Sequence, residues 1–174
     1  MSDKLINRFI RYASEHTTSD PDSNSYPSTS RQISFMRNLK NELTEIGLSE
    51  VILDDNGYLT ATIPPNGIQD APVTGFIAHV DTSPDFPGKN VTPIITEKYD
   101  GDIINLKNDI KIDPAEFPEL LQYKGQPIIT ADGTTLLGAD DKAGVAEIIT
   151  AAEILVKEKR IQHGKIKIAF TPDE

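Results

Sequence analysis

The sequence VTGFIAHV, at residues 73–80, decides the fold because it is an almost continuous run of apolar residues. A run of this length without alternating polar positions predicts a strand covered on both faces, as in a parallel or mixed α/β sheet. Asp81 follows directly. Because side chains alternate along a strand, we expect His79 and Asp81 to lie on the same side. The end of this strand is therefore the first candidate site.

Helical periodicity dominates the sequence before this strand. Apolar residues recur at helical spacing over residues 3–15, which predicts an amphipathic helix. A polar loop is predicted over residues 17–30, and the second helix follows it and ends at Gly47. Ser28 or Ser30 is the expected N-terminal cap of this second helix.

Strands and one long helix are predicted around residues 73–80. Two apolar runs, residues 51–53 and 58–63, flank an Asp-Asn-Gly turn, which is typical of a β-hairpin. Prolines interrupt residues 82–126, an irregular stretch of the kind that often carries function. Residues 142–159 are rich in Ala, Val, Ile and Leu, which predicts a helix buried against the sheet. Further strands are expected at residues 91–96, 102–106, 128–130 and 165–171. The elements together predict an α/β fold with a mixed, largely parallel sheet flanked by helices.

The composition excludes several classes of function. The chain has 174 residues and no cysteine, which excludes disulfides, zinc fingers, iron–sulfur clusters and thiol nucleophiles. Lys and Arg total 17 and Asp and Glu total 27, and the resulting net charge of −10 argues against nucleic-acid binding. No apolar run approaches the roughly 20 residues of a membrane span, and the charged first residues do not resemble a signal peptide. We therefore expect a cytoplasmic domain that binds neither nucleic acid nor membranes.

Acidic residues stand at the ends of three apolar segments. Asp81 follows the first strand, Asp140 precedes the long helix, and Glu174 follows the last predicted strand. Ligands of open α/β sheets collect at the carboxyl ends of strands. Clustered carboxylates repel one another unless a cation lies among them, and divalent metals bind carboxylate oxygen and neutral imidazole. The sequence therefore indicates a metal site that includes His79, with a neighbouring Asp available to accept the second imidazole N–H.

Each of these features also has a purely structural explanation. A histidine at a strand end, such as His79, is more often structural than a ligand. The pair Asp140-Asp141 before a helix can serve as an N-terminal cap that interacts favourably with the helix dipole. Asp173-Glu174 can be solvated, and His16 and His163 flank turns and are expected in solvent. Residue type and position leave both explanations open.

Three stretches of sequence resemble the tripeptide aminopeptidases of the co-catalytic zinc exopeptidase family. They are GFIAHVDTSPD at residues 75–85, TLLGADDKAGVAEI at 135–148 and AFTPDE at 169–174. The resemblance runs through the whole chain and includes Pro27-Ser28-Thr29 and GKNV at residues 88–91. It implies a cytoplasmic enzyme that releases the N-terminal residue from short peptides.

The resemblance also implies a site with two zinc ions. His79 would be a terminal ligand of one zinc, and Asp140 would bridge both. Asp81 would orient His79, and Glu174 would act as the general base that activates the attacking water. The peptide bond between Asp140 and Asp141 is expected to be cis.

The family pattern extends past the residues present here. It continues with a second Glu, a zinc ligand, directly after Glu174, and later with an Asp and a His ligand and a lid or dimerisation domain. We therefore expect residues 1–174 to be the N-terminal part of the catalytic domain, without its remainder and without the lid. Two alternatives stay open: another dizinc exopeptidase or deacylase of the family, such as a dipeptidase, and a non-catalytic fragment or scaffold. The sequence does not indicate an oligomeric state.

Overall fold

A computed structural model describes residues 3–174. The helices are α1 (Asp3–Ala13), α2 (Ser30–Ile46) and α3 (Ala139–Lys157), and a 3₁₀-helix spans Pro118–Tyr123. The strands are β1 (Ser49–Leu53), β2 (Leu59–Ile63), β3 (Thr74–His79), β4 (Ile94–Thr96), β5 (Ile104–Asn105), β6 (Lys111–Ile112), β7 (Ile128–Thr130) and β8 (Ile166–Thr171). Among the described residues, no helix is both long and apolar enough to cross a membrane.

The central sheet has four strands in the order β1-β2-β8-β3. Strands β1 and β2 form the expected hairpin, β2 pairs antiparallel with β8, and β8 pairs parallel with β3. The prediction of a mixed sheet with helices is thus confirmed, but the expectation of a largely parallel sheet is wrong for this part of the chain. The expected hairpin accounts for one antiparallel pair. The second pairs β2 with β8, which are distant in sequence, so local pattern does not determine their relative direction.

A single hydrophobic core lies between one face of this sheet and the helices. Ile166, Ile168 and Phe170 alternate along β8 and are buried on that face. Leu39 and Leu43 of α2 are fully buried in the same core. Burying a side chain of this size contributes about 1.5–3 kcal/mol, so this face accounts for much of the stability of the domain.

Strand β3 differs from its prediction because only one of its faces is covered. It is an edge strand: Ile77, on the face away from the helices, is 71% exposed, and Phe76, on the helix side, is 47% exposed. The helices contribute to the core on one face of the sheet, and within residues 3–174 no element covers Ile77 on the other. Helix α3 is likewise only partly buried, with Ile154 exposed.

Smaller differences concern the helix ends and the irregular stretch. Helix α1 ends two residues before its predicted end, and α2 begins after Thr29 without a side-chain capping hydrogen bond. Neither Ser28 nor Ser30 is the cap, because the Ser28 hydroxyl bonds to Asp173 instead. Residues 82–126 contain short strands where two were expected, together with β6 and the 3₁₀-helix, which the sequence did not predict.

Candidate metal centre

The parallel pairing of β3 and β8 creates the site. The register aligns His79 at the end of β3 with Thr171 at the end of β8. Parallel strands end at the same edge of a sheet, so residues 172–174 emerge beside His79. Helix α3 packs against β3 and begins at this same edge, which brings Asp140 into the group.

The four side chains predicted for the site come together, with the three carboxylates of Asp81, Asp140 and Glu174 arranged around the imidazole ring of His79. The Nδ1 atom of His79 lies 3.3 Å from Oδ1 of Asp81. Its Nε2 atom lies 3.0 Å from Oδ1 of Asp140 and 3.2 Å from Oε2 of Glu174. Asp81 is buried, whereas the carboxylates of Asp140 and Glu174 are mostly exposed. One ring nitrogen therefore faces a buried orienting carboxylate, and the other faces two accessible ones.

The charge balance of this group is strongly negative. Within residues 3–174, no lysine or arginine forms a salt bridge with Asp81, Asp140 or Glu174. Burial alone would lower the pKa of His79, but the surrounding carboxylates, with Asp140 contributing most, outweigh burial and raise it. Three carboxylates beside a single imidazole attract a cation of higher charge than one proton.

The two adjacent aspartates at the start of α3 have separate tasks. Asp141 Oδ1 accepts a hydrogen bond of 3.2 Å from the Gly144 backbone N–H, which satisfies a free donor in the first turn of the helix. A Cβ atom at Gly144 would overlap the Asp141 carboxylate, so a larger residue there would displace this side chain. The Asp140–Asp141 peptide bond is cis, as the resemblance implies. Helix capping thus accounts for Asp141 and leaves Asp140 available to the site.

Lys142, in the first turn of α3, is buried close to the site. Its Nζ atom donates a hydrogen bond of 2.6 Å to the backbone carbonyl of Glu15. Burial lowers the pKa of Lys142 to about 8, against the opposing attraction of Glu15 and Asp81. Lys142 therefore ties the start of α3 to the segment after α1. This role is not predicted from the sequence, although a lysine inside an apolar helix is a visible signal.

Asp173 was also missed as a structural residue, because acidic residues beside Glu174 were expected in solvent. Its carboxylate accepts hydrogen bonds from Ser28 and from the side chain of Gln32. His16 and His163 do not join the site and are half-buried rather than solvated. His16 lies 3.2 Å from a guanidinium nitrogen of Arg31.

The carboxylates and the imidazole line an open cleft of about 560 Å³. Thr82 and Pro84 from the loop after β3 form one part of its wall, and Leu136 and Leu137 from the loop before α3 form another. This volume falls within the usual range of small-ligand sites. The cleft can therefore admit a small molecule to the edge where His79 and the carboxylates meet.

The donor atoms fit a divalent metal in kind but not in number. Imidazole nitrogen and carboxylate oxygen are the donors that zinc takes when cysteine is absent. A catalytic zinc has three protein ligands, and no group of three His, Asp or Glu side chains in residues 3–174 is arranged to hold a metal. If zinc binds here, the described residues supply only part of its ligands.

Sequence comparison finds close relatives along the whole chain, although no family model matches it. Peptidase T of Caldanaerobacter subterraneus subsp. tengcongensis is 56% identical over 173 residues, covering 98% of this chain. The peptidase T proteins of Geobacillus kaustophilus and Bacillus anthracis are 53% and 54% identical over 176 residues, covering all of it. The chain spans 42–43% of the length of these relatives.

Solved structures share the fold. A tripeptidase from Staphylococcus aureus matches 97% of this chain with a TM-score of 0.65 and 24% identity, and the match covers 36% of that protein. Aminopeptidase PepT from Bacillus cereus matches 98% with a TM-score of 0.65 and 26% identity, again over 36% of its length. A dinuclear metal-binding M20 peptidase from Bacillus subtilis matches with a TM-score of 0.50. Along its whole length, therefore, this chain is similar in sequence to part of the peptidase T proteins, and it shares its fold with solved structures of a tripeptidase and an aminopeptidase.

Proposed function

We propose that this chain is part of a zinc-dependent aminopeptidase that releases the N-terminal residue from tripeptides. The observation that carries the proposal is the arrangement around His79, where one imidazole nitrogen faces the carboxylates of Asp140 and Glu174 at 3.0 and 3.2 Å. The relatives named peptidase T and the structural neighbour named a tripeptidase support the peptide substrate.

Each site residue has a role that suits its surroundings. His79 and Asp140 would hold zinc, with Asp140 shared between two ions, because their donor atoms are accessible from the cleft. Asp81 is buried and faces Nδ1, so it would accept the Nδ1–H and fix the ring tautomer that leaves Nε2 free for metal. The bound metal would supply Lewis acidity toward the scissile carbonyl and the attacking water.

Glu174 would move the proton. Its carboxylate is mostly exposed and lines the cleft, 3.2 Å from Nε2 of His79. There it can accept a proton from the attacking water and deliver it to the amine of the leaving product. A positioned carboxylate contributes about 10²- to 10⁴-fold to such a step.

We further propose that residues 1–174 are the N-terminal part of the catalytic domain of a longer cytoplasmic protein. The remainder of the domain would provide the other zinc ligands, and a lid or dimerisation domain would complete the molecule. The length of the relatives and the partial donor set support this proposal. Short peptides are the expected partners, and neither nucleic acid nor membranes are.

A second candidate function is hydrolysis by the same site of a different small amide, as in a dipeptidase or deacylase. The structural neighbour named an aminoacylhistidine dipeptidase, with a TM-score of 0.59, supports this second candidate. A non-catalytic scaffold is the remaining alternative. The three functions differ in what the full-length protein hydrolyses.

The test is a substrate-length panel on the full-length protein. Zinc is removed with a chelator and restored, and hydrolysis of dipeptides, tripeptides, tetrapeptides and N-acetylated amino acids is measured in each state. We expect hydrolysis of tripeptides with a free N-terminus, lost on chelation and recovered with zinc. Preference for dipeptides or acetylated substrates would favour the second candidate, and no hydrolysis with any substrate would favour the scaffold.

A further inference from the structure

Gln32 lies in the first turn of α2 and makes a two-point contact with Asp173. Its Nε2 atom donates to Oδ1 of Asp173 at 2.6 Å. Its Oε1 atom accepts the backbone N–H of Asp173 at 3.1 Å. Gln32 has no exposed surface, so water does not compete for these bonds. A buried amide that uses both its donor and its acceptor on one residue fixes both the backbone and the side chain of that residue.

Ser28 completes the hold on Asp173. The Ser28 backbone N–H donates to Oδ2 at 2.6 Å, and the Ser28 hydroxyl donates to Oδ1. Both carboxylate oxygens of Asp173 are therefore bonded to the segment that begins α2. Asp173 has a φ of 46°, in the left-handed region where non-glycine residues are uncommon.

The held residue is the one directly before Glu174. The Glu174 backbone N–H donates to Oδ1 of Asp81 at 3.1 Å, and this same oxygen lies 3.3 Å from Nδ1 of His79. The conformation of Asp173 thus fixes the position of the Glu174 backbone and directs the Glu174 N–H toward the carboxylate of Asp81. A continuous series of bonds runs from α2 to the imidazole ring.

We infer that Gln32 and Ser28 are positioning residues that aim the Glu174 carboxylate by fixing Asp173. The inference rests on the proposed function, in which Glu174 is the general base. Neither Gln32 nor Ser28 reaches the cleft, so their effect on catalysis is exerted through Asp173. A shift of about 1 Å in a reacting group can cost about 100-fold in rate, so this indirect contact is important for turnover.

The first test is Gln32→Met in the full-length protein. Methionine keeps the length and approximate volume of glutamine but makes neither bond. We expect kcat to fall by about 10- to 100-fold while the zinc content stays at the wild-type level, because His79 and Asp140 are untouched. The matched control is Gln69→Met, an exposed position before the start of β3, at the opposite end from the site. It should leave kcat and zinc content unchanged.

A double-mutant cycle separates positioning from general stability. If Gln32 acts through Glu174, Gln32→Met should lower kcat in the wild-type background and have no further effect in a Glu174→Gln background. An equal fold-loss in both backgrounds would overturn the inference while leaving the role of Glu174 intact. If Glu174→Gln itself keeps the wild-type kcat, the proposed base is wrong and the inference falls with it.

A rescue pair keeps the test decisive should Gln32→Met unfold. Gln32→Glu breaks the contact by opposing two carboxylates, whereas Asp173→Asn keeps a side-chain oxygen that can accept from Gln32 Nε2. In the double variant Gln32→Glu/Asp173→Asn the donor and acceptor are exchanged and the contact can form again. We expect kcat of the double variant to exceed that of Gln32→Glu by at least about 10-fold. A double variant with a kcat no higher than that of Gln32→Glu would contradict the inference.

Discussion

Two clusters of charged residues in this domain are built on opposite charge balances. The first, here the Arg8 cluster, joins α1, α2 and α3 and contains two glutamates and four cations: Glu42, Glu153, Lys4, Arg8, Arg11 and Lys157. The second, here the His79 cluster, contains three carboxylates and one imidazole: Asp81, Asp140, Glu174 and His79. The Arg8 cluster pairs its carboxylates with cations of the protein, whereas the His79 cluster has more negative than positive groups.

In the Arg8 cluster every buried charge is paired. Arg8 is almost fully buried and donates to Glu42 at 2.9 Å, to Glu153 at 2.8 Å and to the Thr150 hydroxyl at 2.6 Å. Burial would raise the pKa of Glu153, but hydrogen bonds from Arg8, Lys157 and Lys4 outweigh it and lower the pKa to about 2. The carboxylates of this cluster are already paired with cations of the protein, and the ion pairs connect the three helices.

In the His79 cluster the negative charge is left uncompensated. Its accessible carboxylates belong to Asp140 and Glu174, which line the cleft. An excess of carboxylates at the mouth of a cleft disfavours the metal-free protein and favours binding of a divalent cation. The comparison therefore predicts that changes in the Arg8 cluster alter stability, whereas changes in the His79 cluster alter metal binding or turnover.

The largest expected effect is on turnover. Glu174→Gln in the full-length protein should lower kcat by about 10²- to 10⁴-fold and keep the zinc content, because glutamine has the same shape but cannot accept the proton. Steady-state kinetics and metal analysis on one preparation measure both quantities. Glu45→Gln, an exposed position on α2, is the control. Loss of zinc in proportion to activity would mean that Glu174 is a ligand rather than the base.

The second prediction concerns the Arg8 cluster and the stability of the fold. Arg8→Met should lower the free energy of unfolding by about 3–5 kcal/mol, because it leaves buried carboxylates with fewer partners. The zinc content should not change. Arg160→Met is the matched control: its exposed pair with Glu158 is worth at most about 1 kcal/mol. Urea denaturation followed by circular dichroism checks both variants, and an Arg8→Met protein with wild-type stability would remove the distinction between the clusters.

The third prediction concerns pH and the Arg8 cluster alone. The folded state lowers the pKa of Glu153 from 4.5 to about 2, so its contribution is complete above the unfolded value and is lost as the pH falls toward 2. That contribution corresponds to about 3 kcal/mol. The stability difference between wild type and Glu153→Gln should therefore be large near about pH 6 and shrink steadily below about pH 4.5. A difference independent of pH would show that Glu153 is not stabilised as a carboxylate.

Much of the fold and the site could be predicted because it depends on local pattern. The Asp-Asn-Gly turn specifies its hairpin, and helical spacing places α1 and α3 to within a few residues. The candidate residues His79, Asp140 and Glu174 follow from strand ends and from the resemblance, and the structure brings them together. These features depend on neighbours in sequence or on a motif.

The rest depends on contacts between distant parts of the chain. The tie between Gln32 and Asp173 joins residues 141 positions apart, and nothing in either local sequence indicates it. Ser28 was expected to cap α2, but a distant carboxylate competes for its hydroxyl. The exposed side of β3 was misjudged for a related reason: an apolar run shows that a strand can be covered on both faces, not which elements cover it.

The central claim is that the His79 cluster binds zinc and the Arg8 cluster does not. The most direct measurement is the zinc content and zinc affinity of the full-length protein, compared among wild type, His79→Ala, Asp140→Ala and Arg8→Met. We predict two zinc ions in the wild type, loss of metal in both His79→Ala and Asp140→Ala, and a wild-type metal content in Arg8→Met. Wild-type zinc content and affinity in both His79→Ala and Asp140→Ala would contradict the account.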